Sequence, residues 1–308
     1  MKKKSKKKIS RIHFKIGSLC LGIGIGIVFR IALGSEVLLK AAQQSVKEKQ
    51  PMILVSHRAG AAYAAENTVA ALERTIADGA SIAEIDVQQL ADGTLIVMHD
   101  SNFLRKAGIN RAVWDTDWEE VLEWNTRWEF GTGMEREAIP TLDEMLDVAG
   151  RRICLMIELK KTGHETDLED SVVELLNRHQ LEDWCIIGSF DEEILQNIKA
   201  LDEGITTVLI SHRIEPKQYE LSYADSYSVE AVNISPKLVE SLHSQQKLLY
   251  GWTVNSYQGM QMVLDAGADG IVTDDIPKGQ SFLKRSERSV ALGRFWKNFK
   301  VFFDKRED

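Results

Sequence analysis

Cysteine is scarce in this chain. Cys20, Cys154 and Cys185 are the three that its 308 residues contain. An odd, sparse set lying inside apolar stretches builds no disulfide framework and reads as small buried hydrophobes. Cys20 also lacks the small residue expected just before a lipidated cysteine, so no lipoprotein anchor is expected. A basic body is missing too. The first fifteen residues carry eight Lys/Arg and no acid, and the last twenty-five carry eight bases against four acids, yet the whole chain has a net charge of -8. The stretch between is therefore strongly acidic, which argues against a nucleic-acid-binding body and leaves acidic clusters able to hold a cation. What remains is ordinary for a soluble globular protein, with 44% apolar and 27% charged residues, enough for a sizeable core.

The N-terminus stands apart. Residues 1–15 are polybasic, and Ile16–Phe29 then run fourteen residues without a charge before Arg30. That is the length of a signal-peptide apolar region, short of the roughly 20 residues that a spanning helix wants. We read residues 16–39 as an uncleaved anchor, with Arg30 snorkelling to an interface. The alternative is cleavage ahead of Ser35, where Ala32 and Gly34 stand at -3 and -1. Either way the basic flank places the bulk of the chain on the far side from the cytoplasm, membrane-anchored or, if residues 1–34 are removed, secreted. Gly22-x-Gly24-x-Gly26 has no strand before it and is not a nucleotide loop; Gly22 and Gly26 suit close packing of a membrane helix.

From Met52 onward, short apolar runs alternate with helical patterns. Strands are expected at 52–57, 81–88, 94–99, 151–160, 184–190, 206–211, 230–235, 247–254 and 269–274. Helices are expected at 67–77, 168–178, 191–200, 236–244 and 255–266. Apolar strands alternating with helices indicate a parallel sheet buried on both faces. Eight such units in about 230 residues favour a closed (β/α)8 TIM-type barrel over an open sheet. Residues 103–139 break the rhythm. They are rich in Trp (114, 118, 124, 128), mixed in charge and without a clear strand, and read as an insertion forming a lid or small subdomain over the barrel, or a long loop with its own apolar cluster. The expected organisation is residues 1–50 as basic terminus, membrane segment and linker, 51–283 as barrel, and 284–308 as tail.

Polar residues gather where strands end, the face that carries active sites on such a barrel. His57 and Arg58 close the first strand, and His99 closes the strand at 94–99. Glu84 and Asp86 lie two apart, so both side chains point to one side of their strand. Glu158 and Lys160 repeat that spacing, and Trp252 ends a late strand. Three converging carboxylates suit Ca²⁺ or Mg²⁺ and would otherwise repel one another. Arg58 and Lys160 supply positive charge for a phosphate. His57 and His99 suit proton transfer near neutral pH. Singly, each of these residues has a plainer structural explanation; their convergence on strand ends is what points to a site.

These residues sit in strings that resemble a known family. HRAGAAYAAENT (57–68) is similar to the opening signature of glycerophosphodiester phosphodiesterases, and EIDVQ (84–88), DG (92–93) and HD (99–100) follow at the family's spacing. IPTLDEML (139–146), IELK (157–160), GSF (188–190), WTVN (252–255) and GADGIVTD (267–274) continue the series. The resemblance implies that His57 and His99 are the acid/base pair, that Arg58 and Lys160 contact phosphate, that Trp252 lines the substrate pocket, and that Glu84, Asp86 and Glu158 bind a divalent cation, Ca²⁺ or Mg²⁺. It further implies that a glycerol hydroxyl attacks phosphorus to give a cyclic phosphate, which water opens to glycerol phosphate. Ala59-Gly60 departs from the usual Gly at the third signature position, and Ala65 stands where Pro is common. Both touch the loop that shapes the substrate pocket.

The resemblance leaves the alcohol open, so a lysophospholipid (in a lysophospholipase D-like reaction) or a polyglycerophosphate is a competing substrate. A catalytically silent, membrane-tethered binding module is the reading of another class; it would be expected to lack a histidine or a carboxylate, and all five are present. In the tail, Phe295, Phe299, Phe302 and Phe303 recur at helical spacing among Arg294, Lys297 and Lys300. Such a helix suits a membrane surface or the underside of the barrel equally.

Overall fold

The computed structural model describes residues 52–124, 128–130, 133–135 and 137–285. The expected membrane segment, its glycines, and all but the first residues of the basic tail lie outside that set. Among the described residues no helix is long and apolar enough to cross a membrane.

In chain order the elements are β1 (Ile53–Ser56), α1 (Val69–Ala77), β2 (Ile82–Gln89), β3 (Leu95–Val97), two short helices α2 (Leu104–Ala107) and α3 (Trp118–Glu123), and a hairpin of β4 (Trp128–Phe130) with β5 (Gly133–Glu135). There follow α4 (Leu142–Ala149), β6 (Cys154–Leu159), α5 (Leu168–His179), β7 (Ile186–Ser189), α6 (Glu192–Leu201), β8 (Thr206–Ser211), β9 (Ser226–Glu230), α7 (Pro236–Ser244), β10 (Leu248–Trp252), α8 (Tyr257–Ala266), β11 (Gly270–Thr273) and α9 (Ile276–Arg285).

Eight strands run parallel in the order β1-β2-β6-β7-β8-β9-β10-β11, and β11 pairs back onto β1 to close the barrel. β3 is added antiparallel to the end of β2. An α-helix follows every barrel strand except β8, which is followed by the 3₁₀ turn Pro216–Gln218. Side chains that begin the helices also end the loops: Thr68 caps α1 by accepting from the Ala71 N–H, and Ser235 caps α7, where Pro236 needs no donor partner.

The period-two alternation of the strands separates two cores. On β2, Ala83, Ile85 and Val87 face outward into the layer that packs against the helices, while Ile82 faces inward. Inside the barrel Ile82 meets Val55, Cys154, Met156, Ile186, Val208, Ile210, Tyr250 and Val272. Cys154 and Cys185 are free and buried, as small hydrophobes.

The strand expected at 230–235 lies instead at Ser226–Glu230, and Ala231–Asn233 is a 3₁₀ turn. The reason is packing. Tyr250 fills the interior, and its partner in register across the ladder is Ser228. A small residue fits beside that ring, so a buried strand carries the polar-looking sequence SYSVE. Helix α4 was not expected either, although Thr141 and Glu144 form its capping box. The segment from Phe103 onward has its own apolar cluster of Leu90, Ile96, Met98, Phe103, Val113, Val121 and Ile139, with Trp124 edge-on to Phe103 at 4.7 Å. Where no strand was expected, the β4–β5 hairpin stands.

Candidate active site

The cleft at the C-terminal ends of the strands has a volume of about 290 Å³, and all eight residues singled out from the sequence line it: His57, Arg58, Glu84, Asp86, His99, Glu158, Lys160 and Trp252. Phe190, His212 and Ser228 complete much of the remaining wall.

The acidic group is the uppermost layer of the barrel interior. Glu84 and Asp86 continue the inward set begun by Ile82, and Glu158 continues that of Cys154 and Met156 on the adjacent strand, with Asp86 in register with Glu158. The three offer oxygens within 4.8 Å of one another and are buried, at 4%, 2% and 7% exposure. Asp86 is held from both sides, accepting from Asn67 Nδ2 at 2.7 Å while its own N–H donates to Asn67 Oδ1. Lys160 Nζ lies 2.7 Å from Asp86 and also pairs with Glu158.

One ammonium does not neutralise three carboxylates. Burial, and then the Asp86 charge beside it, push Glu84 up to about 8. Burial also raises Glu158, against the opposing pull of Lys160. Burial pushes Asp86 up as well, but Lys160, His99 and the Asn67 hydrogen bond together outweigh it and lower its pKa. Among the described residues few buried polar side-chain atoms lack a hydrogen-bond partner, and two of them, Glu84 Oε1 and Arg58 Nε, belong to this cleft. An orphaned carboxylate oxygen within a triad of hard oxygen donors fits a divalent cation of the Ca²⁺ or Mg²⁺ type.

The turn after β1 supplies the next layer. Arg58 and Ala59 both take left-handed backbone angles (φ 49° and 59°), and Gly60 follows at φ 109°. This turn aims the Arg58 N–H at Glu84 Oε2, 2.7 Å away, and Arg58 Nη1 at Glu66 Oε2, 3.1 Å away. Gly60 is required, since a Cβ there would lie 2.6 Å from Thr75 Oγ1. Ala59, where the resembling family usually has Gly, therefore occupies a conformation that favours glycine.

Each histidine is anchored through Nδ1. His57 Nδ1 lies 2.6 Å from Asp274 Oδ1, and His99 Nδ1 lies 3.0 Å from Asp100 Oδ1. Both aspartates have pKa values below the usual range despite partial burial, so they are carboxylates that only accept. The proton is thus on Nδ1, and Nε2 is the nitrogen left for proton transfer. Burial works against a charged His57, but the Asp274 hydrogen bond and the Glu84 charge outweigh it and raise its pKa.

Opposite the charged wall stand three rings. Phe190 and His212 lie 5.7 Å apart, Phe190 and Trp252 5.8 Å, and His212 and Trp252 5.2 Å. Trp252 Nε1 donates to the Ser228 carbonyl, which fixes the indole. Asp274, Glu66, Asn67, Phe190 and His212 were given no role in the sequence reading. All but His212 lie inside the motif strings quoted above, yet strings do not show which side chain touches which.

The profile of the glycerophosphoryl diester phosphodiesterase family matches residues 57–278. The chain belongs to that family. A glycerophosphodiester phosphodiesterase of Caldanaerobacter subterraneus subsp. tengcongensis is 31% identical over 229 residues, which cover 72% of this chain and 94% of the relative. Among solved structures, one from Silicibacter pomeroyi DSS-3 superposes with a TM-score of 0.71 at 20% identity, over 77% of this chain and 95% of its own. A phosphodiesterase of Oleispira antarctica, solved with the product sn-glycerol-3-phosphate, gives 0.69 at 22% identity, over 76% and 97%. At these identities the structures establish the fold. The family membership makes this chain a phosphoric diester hydrolase acting on glycerophosphodiesters.

Proposed function

We propose that the chain hydrolyses glycerophosphodiesters to an alcohol and glycerol phosphate, with His57 and His99 transferring the protons and a divalent cation at Glu84, Asp86 and Glu158. The observation that carries this reading is that the two buried atoms of the cleft without a hydrogen-bond partner are of the types the reaction needs, a cationic donor at Arg58, whose Nε stands 3.8 Å from Asp86 Oδ2, and a carboxyl oxygen at Glu84. A bound cation would supply Lewis-acid polarisation of the phosphoryl oxygens.

The residues divide the remaining work. Arg58 binds the phosphate, with its Nε as donor and Glu66 holding its far side. Lys160 adds charge at the same end of the cleft. His99 takes the proton of the attacking glycerol hydroxyl at Nε2, and the new O–P bond closes a cyclic phosphate as the alcohol leaves. His57, whose charged form the Asp274 hydrogen bond favours, gives its proton to that departing oxygen. In the second step the roles reverse: His57 takes a proton from water, which opens the ring, and His99 returns its proton to the glycerol oxygen. The rings of Phe190 and Trp252 form the wall for the glycerol and the alcohol. The sequence of residues 1–39 supports an anchor in a membrane, with the catalytic body on its extracytoplasmic side; cell fractionation with protease protection of the intact chain tests it.

The decisive assay follows glycerol phosphate release from glycerophosphocholine by the full chain with Ca²⁺, Mg²⁺ or EDTA. Lysophosphatidylcholine and polyglycerophosphate are run alongside as competing substrates. Activity that requires a cation and falls by roughly 10²–10⁴-fold in His57→Ala is expected. Undiminished activity in EDTA would overturn the cation, and silence on all three substrates would favour a binding module.

A further inference from the structure

Arg105 joins the two ends of the catalytic cleft. It sits on α2, in the inserted segment that follows His99. Its Nε lies 2.5 Å from Asp100 Oδ2, and its Nη2 lies 2.9 Å from Asp100 Oδ1 and 2.5 Å from Glu66 Oε1. The other oxygen of Glu66 binds Arg58, and Asp100 Oδ1 binds His99 Nδ1. The result is an alternating chain of charges, Arg58–Glu66–Arg105–Asp100–His99, in which each carboxylate is shared by two cationic partners or by one and a histidine. The neighbouring Lys106, itself buried, donates to the Glu66 carbonyl at 2.8 Å and fastens the same stretch of backbone.

We propose that Arg105 is a positioning residue, which fixes the tautomer and orientation of His99 through Asp100 and braces Arg58 through Glu66. The inference rests on the reaction proposed above. Burial opposes the Asp100 charge, but the Arg105 hydrogen bonds and then His99 hold its carboxyl down at about 2, so Asp100 stays an acceptor throughout the working pH range. Arginine suits this place because its planar fork meets two carboxylates at once, which a lysine ammonium does not reproduce. Asp100 does the same for His99 that Asp274 does for His57, with one difference. Asp274 lies directly after a barrel strand, whereas Asp100 depends on the inserted segment for its second partner. Within the insertion it is Arg105 that reaches the groups around His99 and Arg58.

The test compares Arg105→Ala, Arg105→Lys and Arg111→Ala in the full chain. Arg111 is the control: it anchors the same insertion, pairing with Glu120 and donating to the Asp115 carbonyl at 2.8 Å, and touches nothing in the cleft. Misplacing a catalytic group by about 1 Å costs on the order of 10²-fold. Arg105→Ala should therefore lower kcat by roughly 30–100-fold, with KM changed about threefold or less. Arg105→Lys should recover at least about fivefold of that loss, and Arg111→Ala should stay within about twofold of the parent. Thermal unfolding checks that all three are folded. The second readout needs no substrate. Nitrogen-15 spectra of the histidines, with His99 assigned by its loss in His99→Gln, should show an Nδ1–H tautomer in the parent and a mixture in Arg105→Ala. Full activity in Arg105→Ala, an equal loss in Arg111→Ala, or an unchanged His99 tautomer would overturn the inference. If the parent itself hydrolysed nothing, the proposed reaction would fall while the tautomer still decided the role of Arg105.

Discussion

The mouth of the barrel has two unlike halves. One half, from β1, β2 and β6, carries His57, Arg58, Glu84, Asp86, Glu158 and Lys160, and nearly every polar atom there is tied to another. The other half, from the ends of β7, β8 and β10, presents Phe190, His212 and Trp252, and Phe190 is 46% exposed where Asp86 is 2% exposed. Both halves rest on the same inward-facing apolar layer. On the proposed reading, the difference teaches that the groups for proton transfer and cation binding are housed apart from the wall that would meet the alcohol. Charges that must be held within a fraction of an ångström are buried and over-determined, while the aromatic wall has room and few commitments.

The largest effect should come from breaking the charged half at its centre. Asp86→Asn removes a carboxylate that meets Lys160, Asn67 and the triad, and should lower kcat/KM at least ~10³-fold, equivalent to about 4 kcal/mol of transition-state stabilisation. Isothermal titration should show cation binding lost together with activity; retention of either would mean that the triad is structural. On the aromatic half, Trp252→Ala should raise KM roughly tenfold and lower kcat little, since a ring contact of this kind contributes about 1 kcal/mol. The size of the effect should also vary with the alcohol. An equal loss of kcat for every substrate would erase the distinction between the halves.

A subtler effect concerns the outer brace of the charged half. His57 has a raised pKa, so its contribution to stability is complete below about 6.5 and is lost as pH rises through the folded value. Asp274 has a lowered pKa, so its contribution is present above about 3.8 and is lost as pH falls through the folded value. The pair therefore stabilises most between those two limits. In EDTA, Asp274→Asn should flatten the pH dependence of the melting temperature on the two flanks of that window, as pH rises above about 6.5 and as it falls below about 3.8, and parallel profiles there would show that the pair is energetically idle. The smallest effect belongs to the turn that carries Arg58. Ala59→Gly relieves a left-handed alanine and should stabilise by roughly 0.5 kcal/mol, after the added freedom of the unfolded chain is subtracted. Chemical denaturation measures it, and a clear destabilisation would show that the buried methyl of Ala59 contributes more by packing than its backbone costs.

The charged half was legible in the sequence because period two makes it so. Glu84 with Asp86, and Glu158 with Lys160, announce a shared face by spacing alone. The barrel was legible for the same reason, from apolar strands alternating with helices. Strand β9 was not, since its inward positions are Ser226 and Ser228, sized to make room for Tyr250 on the next strand. The supports of the histidines were hidden differently. Asp274 is 217 residues from His57, and only closure of β11 onto β1 brings them together. Glu66 lies 39 residues from Arg105, across β2 and the start of the insertion. Contacts that depend on closure leave no periodic trace in a single sequence.

The inward alternation of β2 also bears on how the chain finds its structure. A slip of one residue would turn Ile85 and Val87 into the mouth and press Glu84 and Asp86 against the helices, where desolvated charge has no partner. The same slip would empty the interior of Ile82. The carboxylates therefore act as a key that fits one lock, and strand registers that would spoil the catalyst are also the ones that fold worst.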